Sequence, residues 1–289
     1  MSNTKGFCCI ADCHIDTRGL RPDIPTRDTL FPLEQVVQYC LEQDKPLLIA
    51  GDLFDKSLPP SRLVNQVVEI IERVSVDGPG CWATQGNHDR DPEYPWACHA
   101  KGVRWLGLTP EIVGGHELVG IDFMPAGQIS QALTQIPRCD GLVLHQALKQ
   151  GLGFKDAWNC DLDWIPAGRT RNVWIGDLHR VMDELWSTDH QIRALYTGSQ
   201  YMTTVDESPT PSFLDVGPMT SPHPEYTRHP LLHRPVHELI LETPEHLEAA
   251  IDRVGALMGV RDDRLPEELR APIMIVRYAA GLQGVQKVF

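Results

Sequence analysis

Two Asp-x-His pairs stand far apart in the chain, at Asp12-Cys13-His14 and Asp177-Leu178-His179. Between them come Gly51-Asp52, the run Gly86-Asn87-His88-Asp89, and His145 within Val143-Leu144-His145-Gln146. Carboxylate, imidazole and amide oxygen hold divalent cations, and this mixture suits manganese, iron or zinc better than calcium. Two such ions about 3.5–4 Å apart clamp the attacking and leaving oxygens of a phosphoryl transfer. One carboxylate must then reach both. The candidate metal set is Asp12, His14, Asp52, Asn87, His145, Asp177 and His179. Any one of these histidines alone passes for a structural residue. Four histidines placed after apolar runs (His14, His88, His145 and His179), each with Asp or Asn nearby, carry the metal reading.

Something must bring these segments together, and the hydrophobic pattern supplies it. Residues 6–11 (GFCCIA) read as a buried strand that ends on Asp12. Residues 26–43 have helical spacing, with Leu30, Leu33, Val36, Val37, Cys40 and Leu41 on one face. A strand, PLLIA, then ends at Gly51-Asp52, a second helix starts near Pro59-Pro60-Ser61, and a third strand, residues 81–84, ends at Gly86-Asn87. Alternating strand and helix predict a largely parallel α/β sheet, whose ligands sit beyond the carboxyl ends of the strands. Further on, residues 103–123 read as short antiparallel strands turning at Gly114-Gly115. Strands at 141–144 and 172–175 end at His145 and Asp177. Residues 185–196 and 211–216 read as strands of a second sheet. A Pro- and His-rich stretch, residues 220–235, marks a boundary. Beyond it, a strand at 236–241, a helix at 244–257 and a strand at 272–278 predict a small βαβ appendage.

The chain has 289 residues with a formal net charge of −13, from 26 basic against 39 acidic residues, which disfavours gripping nucleic acid through a broad basic face. Acids that neutralise metal ions account for part of that excess. The eight cysteines form no Cys-x-x-Cys pair, so buried, reduced thiols are expected rather than disulfides. No apolar run reaches the roughly 18 residues of a membrane span. Residues 1–6 lack the layout of a signal peptide, and a cytoplasmic protein is expected.

Asp12-Cys-His14, Gly51-Asp-Leu-Phe-Asp55, Gly86-Asn-His-Asp89, His145 and Gly176-Asp-Leu-His179 resemble, in order and spacing, the motifs of the calcineurin-like metallophosphoesterase superfamily. The resemblance covers roughly residues 6–200. It implies a four-layer α/β sandwich, two mixed β-sheets flanked by helices, with a small C-terminal α/β cap. The implied domains are residues 1–220 for the phosphoesterase and 221–289 for the cap. It further implies that Asp12, His14 and His179 hold one metal, that Asp52 bridges, and that Asn87, His145 and Asp177 hold the second. His88 would meet the phosphate and assist the leaving oxygen, with Asp89 orienting its ring. The superfamily usually has His where this chain has Asp177, a carboxylate that either shifts preference toward manganese or magnesium and weakens a zinc site, or reaches the metal only through water.

Within the superfamily, Asp55-Lys56-Ser57 departs from the Arg-Gly of protein phosphatases. Leu53-Phe54-Asp55, Val143-Leu144-His145-Gln146, and Tyr196-Thr-Gly-Ser199 followed by Glu207 are similar to SbcD-type DNA repair nucleases. The segment 233–257 resembles the start of their capping domain, though the tail is shorter. This likeness implies a manganese-dependent DNA exonuclease and endonuclease, with magnesium, iron or zinc as alternative ions. It also implies an SbcC-type ATPase partner, a homodimer and no membrane association. Asp55, Tyr196 and Ser199 are candidate substrate contacts, a plain turn being the alternative for the last two. Trp158 and Trp164 either stack on bases or simply pack. His223, His229, His233 and His237 read as a surface loop rather than a metal site. Two other functions stay open: a phosphatase or phosphodiesterase for a small molecule or nucleotide, and a binding module that reuses the fold without catalysis.

Overall fold

The computed structural model describes residues 5–16, 27–89, 96, 100–152, 158–200, 211–241, 252–253, 255–256, 262–270 and 272–278. The chain divides into two units, residues 1–231 and 232–289.

In the first unit, β1 (Phe7–Ile10), β2 (Leu47–Ala50), β3 (Cys81–Thr84) and β4 (Val103–Trp105) run parallel side by side. Their connections include helices α1 (Arg27–Gln43) and α2 (Ser61–Ser75). Side-chain alternation along these strands divides two cores. Cys8, Ile10, Leu47, Ile49, Cys81 and Ala83 pack under Leu33, Val37, Val67 and Ile71 of the helices. Phe7, Cys9, Leu48, Ala50 and Trp82 face the other way, onto Leu118, Val143, Trp174 and Leu195 of a second sheet.

That second sheet has the order β5-β6-β7-β8-β10-β9, from β5 (Glu111–Val113), β6 (His116–Ile121), β7 (Gly141–His145), β8 (Asn172–Gly176), β9 (Met182–Trp186) and β10 (Arg193–Tyr196). Its outer face, with Leu142, Leu144, Val173 and Ile175, is covered by Ile129 and Leu133 of α3 (Ala126–Leu133). Helices, sheet, sheet and helix are the four layers expected. Strands buried on both faces read as continuous apolar runs, which is why these were legible.

Four expectations change. β4 is parallel to β3 in the first sheet, while only β5 and β6 form the antiparallel hairpin turning at Gly114-Gly115. Residues 185–196 are two strands, because the 187–191 turn, with Ser187 and Asp189 bonded to each other, reverses the chain. β11 (Ser212–Val216) joins the first sheet, antiparallel to β1, with Phe213 facing the helices and Leu214 and Val216 facing the second sheet. β12 (Tyr226–Pro230) pairs with β11, so the first unit runs past residue 220 and the division falls after Leu231, inside the Pro- and His-rich stretch 220–235.

In the second unit, β13 (Val236–Leu241) and β14 (Ile273–Tyr278) form a parallel pair. Most of the helix expected at 244–257 lies outside the described residues, although 252–253 and 255–256 are helical. No described helix is long and apolar enough to cross a membrane. Seven described cysteines are buried and unpaired.

Candidate metal centre

β1, β2 and β3 end side by side in one sheet, and β7 and β8 end side by side in the other. Each strand delivers its polar segment to the same edge. The backbone there is strained on purpose of geometry: Asp12, His14, Asp52 and Asp177 have φ of 50°, 42°, 51° and 95°. A non-glycine residue held in this region costs about 1–3 kcal/mol and persists only when its surroundings over-determine it. Those surroundings bridge the two sheets. The Asp177 N–H donates to both Asp12 carboxylate oxygens at 3.0 and 3.2 Å. Ser199 Oγ donates to the Asp12 carbonyl at 2.8 Å, and the Ser199 N–H to the His179 carbonyl. Gly86 is needed because a Cβ there would lie 1.9 Å from Asp52 Oδ1.

His145 has no exposed side-chain surface, and its Nδ1 lies 2.8 Å from the Ala50 carbonyl. A carbonyl only accepts, so Nδ1 carries the proton and Nε2 is the atom that could serve as a ligand. That Nε2 faces Asn87 Oδ1 at 3.1 Å, Asp52 Oδ2 at 3.2 Å, Asp12 Oδ1 at 3.7 Å and Asp177 Oδ1 at 3.9 Å. Across the centre, His14 Nε2 and His179 Nε2 approach to 2.9 Å. Asp52 Oδ2 lies 3.6 Å from His14 Nε2, so one carboxylate oxygen stands between the two histidine sets.

All seven candidate metal residues thus converge. Asp12 and Asp52 are buried, and among the described residues their ion pairs are all with histidine. Burial raises the Asp12 carboxyl, against the pull of His145, His179 and His14. Burial also works against ionised Asp52, but His145 and His14 outweigh it and hold that carboxyl below its ordinary range. Burial, with the negative charges of Asp12 and Asp52, pushes Asp177 up to about 6. His145 is raised to about 10: burial opposes its charge, and the Asp52 hydrogen bond and surrounding carboxylates overcome that. Carboxylates sunk among imidazoles, with nitrogen lone pairs aimed at one another, are a donor set that divalent ions fit. Asp12, His14 and His179 form one compact group and Asp12, Asp52 and His145 another.

His88 sits at the rim, its side chain 40% exposed. Its main-chain N–H donates to Asp52 Oδ1 at 2.8 Å. Its ring is held by the Asp55 carbonyl, 2.7 Å from Nδ1, which leaves Nε2 without a described protein partner. Asp89 does not orient that ring. Its buried carboxylate accepts from the N–H groups of Leu53 and Phe54 at 3.1 and 3.0 Å, staking down the loop that carries Asp52. Burial and the charge of Asp52 push Asp89 up to about 6. Asp55 has a second task that its sequence position only hinted at. Its carboxylate lies 3.5 Å from His14 Nδ1, and that contact holds the carboxyl below its ordinary range.

Tyr196 and Ser199 are both buried in contacts with the protein itself. Tyr196 is fully buried; its hydroxyl accepts from Leu148 N–H and donates to the Gln146 carbonyl, fixing the segment after His145. Ser199 braces the Asp12 loop, as above. Glu207 lies outside the described residues. Trp158 and Trp164 pack on each other at 5.7 Å, with Lys149 over Trp158. Each of the three late histidines with a described side chain has its own neighbour: His223 bonds Asn172, His229 stacks on Phe213 and His233 bonds the Arg234 carbonyl, while the His237 side chain lies outside the described residues.

A family model for calcineurin-like phosphoesterases matches residues 6–177, a span holding Asp12, His14, Asp52, Asn87, His145 and Asp177. The chain belongs to the calcineurin-like phosphoesterase family. Among curated members, DNA double-strand break repair protein Mre11 of Methanosarcina acetivorans is 24% identical over 217 residues, covering 70% of this chain and 35% of that protein. The Mre11 protein of Sulfurisphaera tokodaii is 24% identical over 213 residues, 65% of this chain and 55% of its own. That of Aeropyrum pernix is 38% identical over 82 residues, 28% of this chain and 20% of its own. In its match to the first of these, this calcineurin-like phosphoesterase chain spans about a third of the relative's length.

Proposed function

We propose that the chain is a two-metal phosphodiesterase of the SbcD type that cleaves DNA, as exonuclease and endonuclease, with manganese as its ion. The observation that carries the phosphoester chemistry is Asp52 Oδ2, placed between His14 Nε2 and His145 Nε2 beneath the exposed ring of His88. Asp12, His14 and His179 would hold one ion, Asn87, His145 and Asp177 the other, and Asp52 would touch both. When bound, the ions supply Lewis-acid polarisation of the phosphoryl oxygens and a nucleophile at neutral pH. The chain's own part is positioning and proton handling. His88, with Nδ1 on the Asp55 carbonyl, presents Nε2 to a phosphate and can hold a proton there for the leaving oxygen. Asp55 orients His14, and Asp89 fixes the loop beneath Asp52. DNA as substrate is supported by the names of the Mre11 relatives and by the SbcD-like motifs. The same likeness supports an SbcC-type ATPase partner, a homodimer, and a capping role for residues after 231.

The test is a panel of single- and double-stranded DNA, RNA, nucleotides, phosphomonoesters and an aryl phosphodiester, each with manganese, magnesium and zinc. Manganese-dependent DNA degradation is expected, abolished in His88→Ala with bound metal unchanged. DNA left intact while a small phosphodiester is cleaved would favour the second reading, a small-molecule or nucleotide phosphodiesterase, which the net charge of −13 supports. No turnover of any ester with any ion would leave the non-catalytic module.

A further inference from the structure

The opposite ends of β7 and β8 carry a different chemistry. Arg138 lies in the loop before β7, and Arg169 and Arg171 lie in the loop before β8; all three are exposed and line one cleft of about 530 Å³. Elsewhere Arg104, Arg193, Arg228, Arg264 and Arg270 each pair with a carboxylate. None of the three cleft arginines has an ion pair among the described residues. The carboxylate in the cleft, Asp140, is turned onto the Glu117 N–H at 2.9 Å.

The walls are built rather than loose. The Arg169 carbonyl accepts from Cys139 N–H and the Arg171 carbonyl from Arg193 N–H, both at 2.9 Å, which fixes the backbone under each guanidinium. Buried Asn172 donates to the carbonyls of Asp140 and Pro222, each at 3.0 Å, and so ties the loop carrying Thr220 across the cleft. Burial, then the charges of Arg193 and Arg171, holds the neighbouring His223 below its ordinary range. Three guanidinium groups without an ion pair among the described residues thus line one concave surface. Guanidinium presents paired donors that match a phosphate's oxygens.

We propose that this cleft is a binding site for a phosphate-bearing small molecule, separate from the metal centre. Arg138, Arg169 and Arg171 take the phosphate, and the Thr220 hydroxyl closes the opposite wall. β7 and β8 are five residues each, so roughly 15 Å of strand separates the cleft from His145 and Asp177. The site does not rest on the phosphodiesterase reading, and either stands if the other fails.

Calorimetric titration of the full chain with pyrophosphate, ADP, adenosine and a short DNA duplex tests it, with excess chelator present so that metal-held phosphate contributes nothing. Pyrophosphate and ADP should bind and adenosine should not. Arg169→Ala with Arg171→Ala should weaken binding about a hundredfold, near tenfold for each charge-assisted hydrogen bond lost. Arg169→Lys with Arg171→Lys should restore part of it. The thermal midpoint and manganese-dependent ester cleavage of these variants should match the parent, which separates a lost site from a lost fold. No binding by the parent, equal binding by the double alanine variant, or binding of duplex DNA alone would overturn the proposal.

Discussion

The two halves of the proposed metal centre hold their histidines by different means. In the deep half, the His145 ring is fixed by a main-chain carbonyl, that of Ala50, and is wholly enclosed. In the open half, His14 leans on a side chain, the Asp55 carboxylate, and faces His179, whose side chain is 24% exposed. Main chain inside a sheet edge moves only if the sheet moves. A surface carboxylate can be removed by one substitution. The deep site is therefore the invariant one geometrically, and the open site is the tunable one.

The severest way to break this contrast is to remove what both halves share. Asp52→Asn should lower bound manganese at both positions, measured by elemental analysis, and cut ester cleavage by about a thousandfold or more. Retention of one full equivalent would show that the halves do not depend on a common carboxylate. Next comes Asp89→Ala, which leaves the buried N–H groups of Leu53 and Phe54 unsatisfied. Each such group costs about 1–3 kcal/mol, so denaturant unfolding should show a loss of about 3 kcal/mol. Asp55→Asn sharpens the contrast: a lost orienting carboxylate weakens a metal by about tenfold or more, in the open half alone. Calorimetry should resolve one weakened and one unchanged binding step. Asp177→His, which replaces an oxygen ligand by nitrogen, should move the deep half toward zinc by about tenfold in relative affinity.

The smallest effect is in pH. Asp177 is raised to about 6, so in the metal-free fold it holds a proton that the unfolded chain would release. Its stabilising contribution is present below about pH 4 and is lost as pH rises through about 6. Asp89, also near 6, acts in the same direction. His145, raised to about 10, keeps its proton across this range, and an ion must displace it. Manganese should therefore raise the thermal midpoint more at pH 7 than at pH 5, and an equal shift at both would count against proton release on binding.

What the chain disclosed in advance follows from how local each cause is. Strands buried on both faces announce themselves by unbroken apolar runs, and the candidate ligands after β1, β2, β3, β7 and β8 sit immediately next to those runs. Tyr196 and Ser199 misled because a motif places residues near a site without saying which way they point. Tyr196 faces the core between α3 and the second sheet, and Ser199 faces the back of the Asp12 loop. Asp89 misled for the same reason: adjacency to His88 in sequence is not adjacency of its carboxylate to the ring. The placement of β11 beside β1 has no local signal at all, since either sheet would accept its alternating pattern.

That placement governs when the protein can assemble during synthesis. β1 lacks its antiparallel neighbour until residue 216 has left the ribosome, and β11 in turn waits for β12 at residues 226–230. His179 and the Ser199 brace on Asp12 also arrive late. The first sheet therefore cannot be completed until most of the first unit is made. Pairings this distant in sequence form slowly and leave unpaired edges available to other chains in the interval. Nascent chains stalled before residue 211 should be protease-sensitive and should not retain manganese, whereas those released after residue 231 can close the sheet around the metal centre.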